Sequence, residues 1–188
     1  EFYKLIQKSK SSIYFPRLFS CDSIEEGKYY QFTFEKMEPL IDSQAGFFNS
    51  SIIQSGKVLD LLLESVVYSI HVLFQLNIMH EEFGVVHCDV SIDNVMYSSF
   101  GDVWKLMGFD MSLPLEQSLK QPRIAGTPEF VCPESLSSGI FTFESDVYAL
   151  GEVLFRVWYI ELIFMSELSN ASLSVDAAIE EFKRSILF

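Results

Sequence analysis

The sequence predicts an α+β fold, mainly α, in a single domain, and three observations carry that expectation. Apolar residues recur at three- and four-residue intervals over residues 58–80, the pattern of a long amphipathic helix. Two runs, 17–21 and 29–37, read as strands flanking a polar turn at 22–28. A second pair, 95–97 and 103–107, reads as a short hairpin around Ser98-Ser-Phe-Gly-Asp102.

Taken in order, residues 2–10 predict a helix with Phe2, Leu5 and Ile6 on one face, and Pro16 forces an extended exit. Residues 42–56, rich in Ser, Asn, Gln and Gly, read as a loop or a weak helix. In the long helix, Leu59, Leu62, Leu63, Val66, Val67, Ile70, Leu73 and Phe74 form the stripe expected to be buried. Gly84 ends that region. After the hairpin, a loop containing Pro114 and Pro122 runs to Glu134, and helices over 143–162 and 174–186 close the chain. The apolar stretch 147–165 has the length of a membrane span, but Glu152, Arg156 and Glu161 would be costly at bilayer depth. A buried globular helix is expected instead, with Glu152 and Arg156 paired at i,i+4.

A chain of 188 residues with 49% apolar content has enough material for one packed core. A net charge of −13 argues against nucleic acid as a partner, because phosphate-backbone binding needs clustered Lys and Arg. Cys21, Cys88 and Cys132 are odd in number and far apart, which argues against a disulfide framework or zinc site and for a reducing, cytoplasmic setting. No signal peptide is visible, and the polar first residues read as a start inside an element.

The chemistry is concentrated in Val85-Val-His-Cys-Asp-Val-Ser-Ile-Asp-Asn-Val-Met-Tyr97. Asp89 stands two residues after His87, and Asn94 five residues after Asp89. An ATP-dependent phosphotransferase needs this spacing: an aspartate to orient or take the proton of an acceptor hydroxyl, and an asparagine amide oxygen to hold a phosphate-bound magnesium. Gly126-Thr-Pro-Glu-Phe-Val-Cys-Pro-Glu134 and Ser145-Asp-Val-Tyr-Ala-Leu-Gly151 follow in order. On these three segments the chain resembles the eukaryotic protein kinase family, in its serine/threonine class.

That resemblance covers nearly the whole chain and implies a single partial kinase domain over 1–188, with 1–41 a small-lobe remnant and hinge and 42–188 the large lobe. It implies Asp89 as catalytic base and Thr127 as the hydroxyl that bonds it. Asn94 and Asp110 are the candidate magnesium ligands. The Glu35 carbonyl and Met37 amide would receive adenine behind Phe34, with Met96 as apolar floor. His87 would be a structural histidine and Asp146 a helix cap bonding the catalytic-loop backbone; His71 and His80 are expected on the core or helix surface.

Several positions depart from the family pattern. Cys88 replaces an arginine that grips an activation-loop phosphate, and Ser91 a lysine that steadies the transferring phosphate. In Lys105-Leu-Met-Gly-Phe-Asp-Met-Ser112, Gly108 occupies the metal-binding aspartate position. Residues two apart in an extended segment face the same side, which is how Asp110 would approach the metal. The Gly-rich loop and strand-three lysine have no counterpart, and the last large-lobe helices are missing. The resemblance therefore implies weak nucleotide binding and exposed apolar surface, with activity expected to rise in Gly108→Asp.

The implied function is phosphotransfer from ATP to serine or threonine hydroxyls, impaired by these changes; the alternative is an inactive pseudokinase acting as an interaction scaffold. A protein substrate or signalling partner is implied, with no nucleic acid and no membrane. Small-molecule phosphotransferases of the aminoglycoside or choline kinase type share the His-x-Asp-x4-Asn pattern but lack segments like 126–134 and 145–151.

Overall fold

The computed structural model describes residues 2–6, 8–24, 29–39 and 58–167. The first helix, α1 (Phe2–Ile6), is shorter than the expected 2–10 and buries Phe2 and Ile6 while leaving Leu5 exposed. A 3-10 turn at Lys10–Tyr14 follows, capped by the Ser9 hydroxyl, which accepts from the Ser11 N–H at 3.0 Å. Phe15 is extended, with φ −105° and ψ 163°, as the following proline requires. The antiparallel pair β1 (Leu18–Ile24) and β2 (Tyr29–Phe34) comes next. β1 runs past Cys21, whereas β2 stops at Phe34 because the next side chain, Glu35, turns inward. Its buried carboxylate accepts from the Arg17 N–H and the Ser98 hydroxyl, each at 2.9 Å, and pairs with the buried Lys105 ammonium.

A short strand, β3 (Glu38–Pro39), precedes the long helix α2 (Val58–Glu81). The chain then forms β4 (Val85–Val86), the hairpin β5 (Val95–Ser98) and β6 (Val103–Leu106), and β7 (Leu113–Pro114). β3, β5 and β6 make one antiparallel sheet in that order, and β4 pairs with β7. The expected loop to Glu134 contains short helices at its two ends: α3 (Leu115–Lys120), and α4 (Pro133–Ser138), which starts within it. α5 (Phe143–Glu167) packs against α2. Residues 42–56, expected as a loop or weak helix, and 174–186, expected as a helix, lie outside the described residues. No helix among the described residues is long and apolar enough to cross a membrane.

α2 corrects the sequence expectation most sharply. Leu63, Val66, Val67, Ile70, Leu73 and Phe74 are exposed, and the buried face carries Ser65, Tyr68, Val72, Gln75, Leu76 and Met79. Polar side chains choose that face. Gln75 donates to the Trp104 carbonyl and accepts from the Leu106 N–H, both at 2.8 Å, and His71 Nδ1 accepts from the Trp104 N–H at 3.2 Å. β6 is the edge of its sheet, and these side chains satisfy backbone groups that an apolar face would leave unpaired. Around this seam the main core brings α1, α2, α5 and the hairpin together, with Val72, Met79, Val95, Leu106, Val153 and Val157 fully buried.

The expected Glu152–Arg156 pair does not form. Arg156 reaches across to the Glu129 carbonyl at 3.2 Å and lies 4.7 Å from the Phe130 ring centroid, a cation–π contact that fastens the 126–134 segment to α5.

The exposed stripe on α2 adds to an exposed aromatic set on β1 and β2, namely Phe19, Tyr29, Tyr30 and Phe32. Apolar surface on this scale favours self-association. Sedimentation of the chain is expected to show species heavier than the monomer, and Val66→Lys with Ile70→Lys to shift them toward the monomer at an unchanged unfolding midpoint. A monomeric parent chain would contradict this expectation.

Candidate active site

The site is built outward from a buried carboxylate. Asp146, in the first turn of α5, accepts from the His87 N–H at 2.8 Å and the Cys88 N–H at 2.9 Å, and its Oδ2 lies 2.8 Å from His80 Nε2. It is not the helix cap that the sequence led one to expect, because α5 begins at Phe143 and the Ser145 hydroxyl accepts from the Thr142 N–H at 3.0 Å. Its bonding to the catalytic-loop backbone is as expected. Cys88 is held at φ 67°, left-handed backbone that a non-glycine residue adopts at a cost, and the two bonds from Asp146 to this turn offset it.

His87 is fully buried between β4 and the hairpin. Its Nδ1 accepts from the Asp89 N–H at 3.2 Å and its Nε2 lies 2.8 Å from the Met107 carbonyl, which makes the ring a neutral Nε2–H tautomer. The ring stacks edge-on against Phe109, 5.1 Å between centroids. Phe109 in turn meets Phe2 at 5.0 Å and Phe15 at 6.0 Å. A column of rings therefore joins α1 to the catalytic loop.

Asp89 is half-buried and heavily bonded. Its Oδ1 accepts from both the Thr127 N–H and the Thr127 hydroxyl, each at 2.8 Å. The Asn94 amide donates to Asp89 Oδ2 at 2.9 Å and to the Asp89 carbonyl at 2.7 Å. Gly126 permits the approach of the 126–134 segment: at φ 80°, a Cβ there would lie 2.6 Å from the Cys88 carbonyl oxygen. Three sequence candidates, Asp89, Asn94 and Thr127, thus share one cluster.

The comparisons with known proteins bear on the chain as a whole. A protein kinase domain model matches residues 21–185. The chain belongs to the protein kinase family. Among its relatives are the serine/threonine-protein kinase nekl-2 of Caenorhabditis elegans, 31% identical over 53% of this chain and 28% of that protein. The MAP kinase kinase skh1/pek1 of Schizosaccharomyces pombe is 32% identical over 55% of this chain and 27% of that protein. SCY1-like protein 2 of Mus musculus is 33% identical over 44% of this chain and 10% of that protein. The chain thus spans about a quarter of the length of the first two relatives.

Within this kinase domain the other candidates lie apart from the Asp89 cluster. Glu35 directs its side chain to Lys105, while Met37 and Met96 are half-buried beside the β3–β5 pairing. Ser91, which replaces the family's lysine, is buried. Asp110 does not follow the expected extended geometry. Gly108 is left-handed at φ 74°, and Phe109–Met111 is a 3-10 turn, so alternation by two does not apply and Asp110 is exposed.

The residues present do not fit the magnesium that the family generally uses. Gly108 offers no ligand, and the Asn94 amide fills the space beside it: a Cβ on Gly108 would lie 2.3 Å from Asn94 Oδ1. No group of three His, Cys, Asp or Glu among the described residues could hold a metal ion. Sequence reasoning missed the Lys105–Glu35 pair and the His80–Asp146 contact. The one signal available for the first was a lysine on the inward side of a strand.

Charge at the site follows burial. Burial pushes the His87 pKa below 6.5 against the pull of the Asp146 charge, the Met107 carbonyl and the Asp89 and Asp110 charges. For Glu35, burial alone would raise the carboxyl; the Lys105 ammonium, the Arg17 N–H and the Ser98 hydroxyl outweigh it and hold the group below 4.5. A histidine whose folded pKa is depressed binds its proton more readily in the unfolded chain, so stability is lost as pH falls below 6.5. The His87 contribution to that slope is bounded at about 1.4 kcal/mol per pH unit. Urea titrations at a series of pH values are expected to show a shallower decline in His87→Gln than in the parent chain. An unchanged slope would contradict the neutral, buried assignment.

Proposed function

We propose that this kinase domain activates serine or threonine hydroxyls of protein substrates through Asp89, with phosphotransfer from ATP strongly impaired. The observation that carries this reading is the bonding of the Asp89 carboxylate. A carboxylate has about four acceptor positions. Thr127 takes both on Oδ1, and Asn94 takes one on Oδ2. The remaining position on Oδ2 faces an incoming hydroxyl. There Asp89 orients the hydroxyl and receives its proton, while Thr127 keeps the substrate-facing segment in register with the base. Adenine is assigned to the Glu35 carbonyl and the Met37 amide, over Met96. The serine/threonine assignment draws on the Gly126-Thr127 pair and on the kinases this chain is similar to. A reducing, cytoplasmic setting is proposed from the three free cysteines, two of them buried.

A second reading, an inactive scaffold acting through protein contacts, is favoured by the Gly108–Asn94 geometry. The sequence alone leads one to expect a gain of activity from Gly108→Asp. A side chain at Gly108 would instead meet Asn94 at 2.3–2.7 Å and require left-handed backbone. Moving Asn94 aside would break both of its bonds to Asp89.

Radiolabelled phosphate transfer to a generic serine/threonine substrate tests both readings. Asp89→Asn is expected to lower the rate about 10²- to 10⁴-fold, the usual worth of a positioned base. Gly108→Asp is expected to give no gain and to lower stability by about 1–3 kcal/mol. Undiminished transfer by Asp89→Asn would remove the base assignment. Parent activity that is nil and unmoved by either change would favour the scaffold, and a gain in Gly108→Asp would show that Asn94 yields.

A further inference from the structure

The segment from Gly108 to Glu134 is ordered by contacts that need no phosphate, and one arginine ties its two halves together. Arg123 donates through its guanidinium to the Met111 carbonyl, and its backbone N–H donates to the Gly139 carbonyl at 2.9 Å. Its buried Nε has no hydrogen-bond partner, so the side chain is held by the bond at the end of the fork. Burial and the Asp146 charge push the Cys88 thiol pKa up, and the Arg123 charge pulls it down. Next to it, Ala125 is buried in a small core with Val86, Cys88, Leu113 and Phe141. Ile124, between the two, is fully exposed, so the chain here is gripped residue by residue rather than swallowed whole.

The hydroxyls of the segment point to the same conclusion. It contains Ser112, Ser118 and Thr127 and no tyrosine. Ser112 donates to the His87 carbonyl at 3.2 Å. Ser118 is buried, donating to the Phe141 carbonyl at 2.6 Å and accepting from its N–H at 3.0 Å. Thr127 donates to Asp89. Each hydroxyl already serves as an internal tie, and a phosphate on any of them would break one.

We infer that Arg123 is a positioning residue: a built-in clasp that sets the 108–134 segment, and through it Thr127 against Asp89, without phosphorylation. Its direction is reversed relative to a loop arginine gripping a phosphate. Here the cation sits on the segment and reaches back to the Met111 carbonyl and toward the catalytic loop. The inference is independent of whether the domain transfers phosphate.

Hydrogen-exchange mass spectrometry on the whole chain tests it, comparing parent, phosphatase-treated parent, Arg123→Met, Arg123→Lys and Ile124→Ser. Exchange over 108–127 is expected to rise about tenfold in Arg123→Met, to recover in part in Arg123→Lys, which keeps a donor, and to stay at the parent level in Ile124→Ser. Phosphatase treatment is expected to change nothing. Parent-level exchange in Arg123→Met would overturn the clasp, as would a rise on phosphatase treatment. A rise that spreads equally over residues 85–98 would also overturn it, because Arg123 would then hold the whole core rather than the segment. Arg123→Gln, a milder change that keeps an amide donor, decides the matter by the same readout if Arg123→Met fails to fold.

Discussion

Everything at this site hangs on a carboxylate that is almost wholly out of water. Asp146 is accessible over 1% of its surface, and it is tolerable there because the groups around it answer its charge: two backbone N–H donors and an imidazole. Removing such partners from a buried charge costs about 3–5 kcal/mol, so the arrangement is all or nothing. By holding the His87 and Cys88 amides, Asp146 imposes left-handed backbone on Cys88 and so aims the next side chain, Asp89, at Thr127. The thiol of Cys88 shares the confinement: burial first, and then the Asp146 charge, push its pKa up to about 12, which makes it a packing group and not a nucleophile.

The meeting of Asp89 with Asn94 was legible in the sequence, because the two lie at a short spacing along the chain. His87, Asp89 and Asn94 sit in one loop whose turns are set locally. The α2 face was not legible, and the reason is compositional. Fifteen of the 22 positions from Val58 to Met79 are apolar and they spread around the helix, so periodicity offers several stripes and no preference among them. What decides is the partner. The edge of β6 needs a donor and an acceptor, and only the side of the helix bearing His71 and Gln75 supplies them. In this helix Ser65, His71 and Gln75 mark the inside. The hidden ion pair follows the same logic, since Lys105 and Glu35 are distant in sequence and only the sheet brings them together.

Asp110 is a case where the local rule was sound and its premise failed. Alternation by two holds for extended backbone, and the segment is not extended. The cause is Phe109. Its ring is held in the column with Phe2, Phe15 and His87, and the chain on either side must turn sharply to deliver it there. Gly108 takes the left-handed conformation that this turn requires, and the 3-10 turn after it carries Asp110 to the surface.

Glycine at position 108 also sets where Asn94 lies. With no side chain at that position, the Asn94 amide comes up against the glycine and directs both hydrogens of its NH₂ group to Asp89. A vacancy next to a half-buried carboxylate would otherwise leave one of its oxygens short of a donor, at about 1–3 kcal/mol. Asn94 offsets that deficit through its NH₂ group, while its Oδ1 lies against Gly108. Glycine at this position and an asparagine bonded to Asp89 form a self-consistent pair that leaves no room for a side chain at 108.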